Sequence, residues 1–234
     1  MKLTPQQIDR LYQFTRQHYV EWYDLQTELV DHLANSIEMQ WQDNPKIDFE
    51  DALKIEFKKF GVFGFMDVVE KRQAALNKKY NKIVWKHFKE FFTIPKILIS
   101  LFSFLLLFFI FRFYIYSKVT ILICFFVILT SFWMGLFRQS RNQKKRNKKT
   151  GKKWLFKEII FGHGSAAGLS YIPLQIVLNI DFNDNLGILK ATFFSLLIVS
   201  MALAEYIILV IIPSKAEQYL NETYPEYGMV EQNQ

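Results

Sequence analysis

One cysteine among 234 residues excludes a disulfide within the chain and any metal site built on cysteine. That residue, Cys124, lies inside an apolar run. Glycine is sparse as well, with nine residues, and none sits in a nucleotide-binding loop. Gly162 and Gly164 in GHG have no strand before them, so they make no phosphate-binding fingerprint. A nucleophile elbow and a pair of metal ligands at a recognised spacing are also missing. The expectation is a protein that is not an enzyme, with no catalytic residues, no metal and no cofactor. The first ten residues, MKLTPQQIDR, lack the basic, apolar and small-residue pattern of a signal peptide. The first long apolar run comes only after ninety residues, so the N-terminal domain is expected to stay on the side where it is made.

What the chain does have is unevenly placed. It is 51% hydrophobic with 24 phenylalanines, yet residues 1–92 are polar and charged while 93–214 hold most of the apolar content. The fold expected is all-α: a helical N-terminal domain over 1–92 with a basic membrane-proximal stem, a four-helix transmembrane region over 93–214, and a cytoplasmic tail over 215–234. A crossing needs about 20 mostly apolar residues. Four segments qualify, at about 96–116, 119–137, 155–178 and 191–212. The third is the weakest, carrying Lys157, Glu158, His163 and several glycines, and a re-entrant or interfacial helix is the alternative there.

Charge placement predicts orientation. Arg138, Arg141, Lys144, Lys145, Arg146, Lys148, Lys149, Lys152 and Lys153 fall in the connection between the second and third segments, without an Asp or Glu. The connection after the third carries Asp181 and Asp184 instead. Positive residues remain on the cytoplasmic side, so both termini are expected in the cytoplasm. The basic loop is expected to touch anionic lipid. The net charge of +7 is thereby accounted for at a membrane, and direct nucleic-acid binding is not expected.

Two intramembrane features stand out. Gly164 and Gly168 are four apart with small residues between them, a spacing that lets helices approach closely. They predict packing of the third segment on a neighbour or on a second copy of the chain. His163 and Glu205 lie about 12 Å and about 11 Å from the cytoplasmic ends of their segments at 1.5 Å per residue. Antiparallel neighbours would bring them to one level, predicting a hydrogen-bonded pair, either a polar clamp or a proton-responsive site.

Four helices are predicted in the N-terminal domain. Thr4-Pro5-Gln6-Gln7 is a start signal. Leu25, Leu29, Leu33, Ile37 and Trp41 make a core stripe on the second helix. Its polar face carries Glu28, Asp31, His32 and Asn35. A carboxylate and an imidazole four residues apart can bind metal or move a proton, but the second histidine of a zinc helix is missing. The other reading is a solvated face, paired with Lys54 or Lys58. Asp48 caps the third helix and Gly61 ends it. Val62, Phe63 and Phe65 follow as an apolar patch suited to docking a partner, or to closing the bundle.

The runs YDLQTELVDHLANSIEMQW and DFEDALKIEFKKFGVFGFMDVVEKRQAALNKKY resemble the HTH-associated alpha-helical signalling domain of bacterial multi-span membrane proteins. The resemblance covers about residues 1–92 and rests on Glu28, Asp31, His32 and the stretch Phe57 to Gly61. It implies a place in the bacterial inner membrane and a soluble partner, a PadR-like winged-helix transcription regulator, bound by the face containing Glu28, Asp31, His32, Val62, Phe63 and Phe65. It carries no activity and no active-site residues. The competing expectation is an accessory subunit of a larger membrane complex.

Overall fold

The structure is a computed structural model, and it describes residues 2–114, 116–162, 175 and 186–228. Those residues form helices and turns, with no strand among them. The chain divides into two compact units. One joins Met1–Lys78, Arg146–Ile159 and Thr223–Gln234, and is called the head below; the other joins Lys79–Lys145 and Ile160–Glu222.

The head opens with α1 (Pro5–Gln17). Thr4 and Gln7 form a reciprocal capping box, the Gln7 N–H donating to Thr4 Oγ1 at 3.3 Å and the Thr4 N–H to Gln7 Oε1 at 2.8 Å. That satisfies two of the amides a helix start leaves unpaired. Helix α2 (Tyr23–Asp43) buries its Leu25, Leu29, Leu33, Ile37 and Trp41 stripe. Helix α3 (Phe49–Lys58) starts where Asp48 accepts from the Glu50 N–H at 3.1 Å. It buries Leu53 and Glu56, the latter held by Lys59 at 2.6 Å and by Gln40. Gly61 and Gly64, both with positive φ, then turn the chain into α4 (Met66–Glu90). At Gly64 a side chain would also strike the Phe57 ring, 2.9 Å from the position of a Cβ. Only glycine tolerates both the angle and the approach.

The second unit contains long apolar helices. Three among the described residues are long and apolar enough to cross a membrane: Lys96–Phe113, Ser117–Lys148 and Ile188–Ser214. The first is α5 (Lys96–Phe113). The second is part of α6 (Ser117–Thr150), 34 residues or about 51 Å at 1.5 Å per residue. The third combines α8 (Ile188–Tyr206), a π-helical segment over Ile207–Ile211 and a last turn to Ser214. Phe111 on α5, Ile121 and Phe125 on α6, and Phe194 and Ile198 on α8 form their common core. Between α6 and α8 lies α7 (Leu155–Phe161), and the chain closes with α9 (Ala216–Thr223).

One expectation changes. The basic stretch after the second span is not a loop, because α6 continues through it to Thr150. No glycine or proline separates Gly135 from Gly151, and Lys, Arg and Gln are good helix formers. Gly151, at φ +64°, ends the helix in the left-handed conformation. The first residues of the segment expected at 155–178, through Ile159, group with the head. Most of its remainder lies outside the described residues.

Candidate functional site

Within the apolar unit, Glu205 on α8 finds its partner on α6. The Ser131 hydroxyl donates to Glu205 Oε1 at 2.7 Å. Four residues along α6, Gly135 lies against Leu209, whose Cδ2 would be 3.0 Å from an added Cβ. Four residues further, Gln139 Nε2 donates to the Leu209 carbonyl at 2.9 Å. Leu209 is in the π-helical segment, where the widened turn displaces carbonyls from their usual partners. Ser131, Gly135 and Gln139 therefore make one stripe, polar at both ends and small in the middle, that clamps α6 to α8. In an apolar surrounding this is the economical way to hold a carboxyl group and a distorted helix turn. His163, expected beside Glu205, lies outside the described residues, as do Gly164 and Gly168.

The head carries a second constellation, assembled from three distant segments. Asp24, near the start of α2, accepts from the Leu155 N–H at 3.1 Å through Oδ1. The Phe156 N–H donates to the Tyr224 hydroxyl at 3.2 Å. Trp154 is 1% exposed, with its ring centroid 5.3 Å from Tyr23, 5.0 Å from Tyr224 and 5.1 Å from Tyr227. Lys157 is buried and donates to the Tyr227 hydroxyl at 2.8 Å. The Tyr23 N–H donates to the Lys153 carbonyl at 2.7 Å, and Trp22 Nε1 to Glu158 at 2.5 Å. No family model matches the chain, and neither a curated protein nor a solved structure matches it.

This seam also engages two cations of the basic stretch. Lys153 pairs with Glu21 at 2.5 Å, which raises its pKa, and the Lys152 ammonium lies 4.4 Å over the Tyr23 ring. Both cations have partners within the head. Tyr23 and Glu21 recruit them because the chain bends back at Gly151. Arg138, Arg141, Lys144, Lys145, Arg146 and Lys148 remain exposed along α6. Lys149 lies on the same helix, and its side chain is outside the description.

Burial pushes the Asp24 carboxyl above the ordinary carboxylate range, against the opposing pull of the Tyr224 hydroxyl, the Leu155 N–H and the Arg72 charge. The native state therefore holds a proton that the unfolded chain gives up, and this group's contribution falls as pH rises through that window. Asp24→Asn keeps an acceptor for the Leu155 N–H and removes the titration. Its melting temperature relative to the unsubstituted protein is expected to climb as pH rises above the ordinary carboxylate range. A constant difference over that rise in pH would contradict the assignment.

On the expected docking face, Glu28, Asp31 and His32 are exposed, and the His32 ring meets Phe60 edge-on at 5.7 Å. Lys54 pairs with Asp51 of its own helix and not with this face. Val62 is 98% and Phe63 72% exposed, while Phe65 is 1% exposed. Phe65 is thus removed from the docking face. The left-handed turn at Gly64 directs the chain inward, and Phe65 packs among Phe14, Phe57 and Phe60 at 4.8–6.1 Å. Among the described residues no group of three or more His, Cys, Asp or Glu is placed to hold a metal ion.

Proposed function

We propose that the chain is a multi-pass signalling or regulatory protein of the bacterial inner membrane, whose head binds a soluble protein partner. The partner favoured by the sequence resemblance is a PadR-like transcription regulator. One observation carries the reading: the head is not a free-standing N-terminal domain. It incorporates Arg146–Ile159, which continues from the second span, and Thr223–Gln234, which follows the last. Helix α6 runs unbroken from the second span into the first of these segments. A shift of that helix at its membrane end would be delivered to the seam around Asp24 and Trp154, which supplies a physical two-site element for signalling. The exposed Val62-Phe63 turn is the docking point.

The same seam favours four crossings, and the cations along α6 favour the cytoplasm for both termini. Phe156 and Tyr224 are hydrogen-bonded, so the chain between them must cross the bilayer an even number of times. Ile188–Ser214 supplies one crossing, and residues after Ile159 in the expected third segment are the candidate for the other. A second reading, an accessory subunit of a membrane complex, is favoured by the bareness of the spans. Only 11%, 17% and 22% of their apolar windows are buried within the chain, leaving ample surface for another membrane protein or a second copy.

The two readings separate on purification of the native protein in mild detergent. The first expects a soluble DNA-binding regulator to co-purify. The double substitution Val62→Asp with Phe63→Asp should weaken its retention at least about tenfold, because exposed aromatic and aliphatic anchors dominate such contacts. Both side chains are exposed, so helix content should not change. Stoichiometric membrane subunits, with retention insensitive to the double substitution, would favour the second reading and overturn the first.

A further inference from the structure

The last two turns of α4 present a cationic aromatic pocket that neither the head seam nor the intramembrane clamp uses. Lys82, Trp85, Lys86 and Lys89 recur at spacings of three and four and so share one helix face. Together with Glu90 and Thr93 they line an open pocket of about 390 Å³. Trp85 is 57% exposed although it is the largest side chain on this face. Its ring stacks on Phe88 at 5.6 Å and 11°, Phe88 continues to Phe92 at 5.5 Å, and the Lys89 ammonium sits 5.5 Å over the indole. Three lysines and an exposed indole form one surface.

The single carboxylate in the pocket does not neutralise that surface. Glu90 is taken by His87, whose Nδ1 lies 3.2 Å from Oε2, and by Lys96 at 3.4 Å. His87 is itself buried, with Nε2 2.7 Å from the Tyr219 hydroxyl on α9. His87 holds the Glu90 carboxyl below its usual range, with Lys96 adding to the effect. Lys82, Lys86 and Lys89 make no ion pair among the described residues. The first apolar span begins at Lys96, only a short turn beyond Glu90. Tryptophan and lysine at that boundary are placed where an indole occupies the headgroup layer and an ammonium reaches a phosphate.

We propose that Lys82, Trp85, Lys86 and Lys89 form a binding site for the phosphate headgroup of an anionic phospholipid, at the junction of α4 with the first span. The lysines supply charge and Trp85 supplies the wall on which the glycerol and upper acyl region rest. The site is separate from the α6 cations assigned to general lipid contact. Each lysine near an anionic surface contributes attraction, and three on one face favour a double-layer lipid of negative charge over a zwitterionic one.

The full chain, reconstituted in vesicles, tests this through Trp85 fluorescence. The Trp85 signal is the difference between the unsubstituted protein and Trp85→Phe, and the quencher is a phospholipid brominated high in its acyl chains. Brominated phosphatidylglycerol, diluted in phosphatidylcholine, should quench that signal at least threefold more than brominated phosphatidylcholine at the same fraction. Substituting Gln for Lys82, Lys86 and Lys89 should abolish the preference, and substituting Arg should retain it. Equal quenching by the two lipids in the unsubstituted protein overturns the proposal, and so does a preference that survives the Gln substitutions. Loss of the preference on adding inorganic phosphate would assign the pocket to free phosphate and overturn the lipid source. The comparison of lipids on the unsubstituted protein stands even if the triple variant fails to fold.

Discussion

Trp154→Ala is expected to open the head and expose the C-terminal tail to protease. Trp154 touches residues from two other segments of the head: Tyr23 at the start of α2, and Tyr224 and Tyr227 in the tail. Truncating a buried aromatic to alanine costs about 3–5 kcal/mol, through lost contacts and the cavity left behind. Native domains are stable by only about 5–15 kcal/mol, so the seam would lose a large part of what holds it. Where opening is fast relative to cleavage, proteolysis follows the open population. Since about 1.4 kcal/mol corresponds to tenfold, cleavage after Thr223 should rise by about a hundredfold or more. Trp154→Phe serves as the control. The Trp154 indole N–H is buried with no hydrogen-bond partner among the described residues, so phenylalanine keeps an aromatic filler and gives up none of the described bonds. Equal cleavage of the alanine variant and the unsubstituted protein would remove the seam as a structural element.

The second large effect is expected at Gly135. A Cβ there would meet the Leu209 side chain, with Cδ2 at 3.0 Å and Cγ at 3.2 Å. Alanine would press on the flexible end of one leucine, which can rotate away. Valine would add two rigid methyl groups and force α6 from α8, at about 1–3 kcal/mol for overpacking. Separation would also break the Ser131–Glu205 and Gln139–Leu209 bonds above and below. Gly135→Val should therefore unfold at a clearly lower dodecyl sulfate fraction, followed by helix signal in detergent, with Gly135→Ala in between. Gly187 provides the comparison, because no atom of the described residues lies within 4 Å of a Cβ there. Gly187→Ala should be silent. A Gly135→Val protein as resistant as the unsubstituted one would show that α6 and α8 do not pack through this stripe.

The local features were legible in the sequence because they follow local rules. The Thr4 cap, the Leu25-to-Trp41 stripe and three of the long apolar segments are set by neighbours within one or two turns. The seam is not of that kind. Asp24 and Leu155 are 131 residues apart, and Trp22 and Glu158 are 136 apart. No periodicity connects such pairs. Leu155 and Phe156 have the same hydropathy whether they meet lipid or the interior of the head, which is why the expected third segment begins with them. The basic stretch after residue 137 reads as a loop by its charge alone. The absence of glycine and proline from 136 to 150 was the signal that favoured a helix.

Glu205 shows a different limit. Matching depths linked it to His163, the other ionisable group set deep in a span. The structure gives it Ser131 as a partner on α6, while His163 lies outside the described residues. Ser131 is inconspicuous in a helix because its hydroxyl can return to its own backbone, as it does toward the Ile128 carbonyl at 3.0 Å. The spacing of Ser131, Gly135 and Gln139 was the available sign, being one face of a helix whose other residues are apolar.

The proposed function requires the head and tail to share one side of the membrane, with four crossings between them. Cys124 is the only native cysteine, so a Cys124→Ala protein can carry single reporters at exposed Lys46 and Glu226 and at Asn183. A membrane-impermeant maleimide applied to intact cells should label the Asn183→Cys protein. It should reach the Lys46→Cys and Glu226→Cys proteins only after permeabilisation. Labelling of Lys46→Cys and Glu226→Cys from opposite faces would contradict the seam, the four crossings and the signalling path built on them.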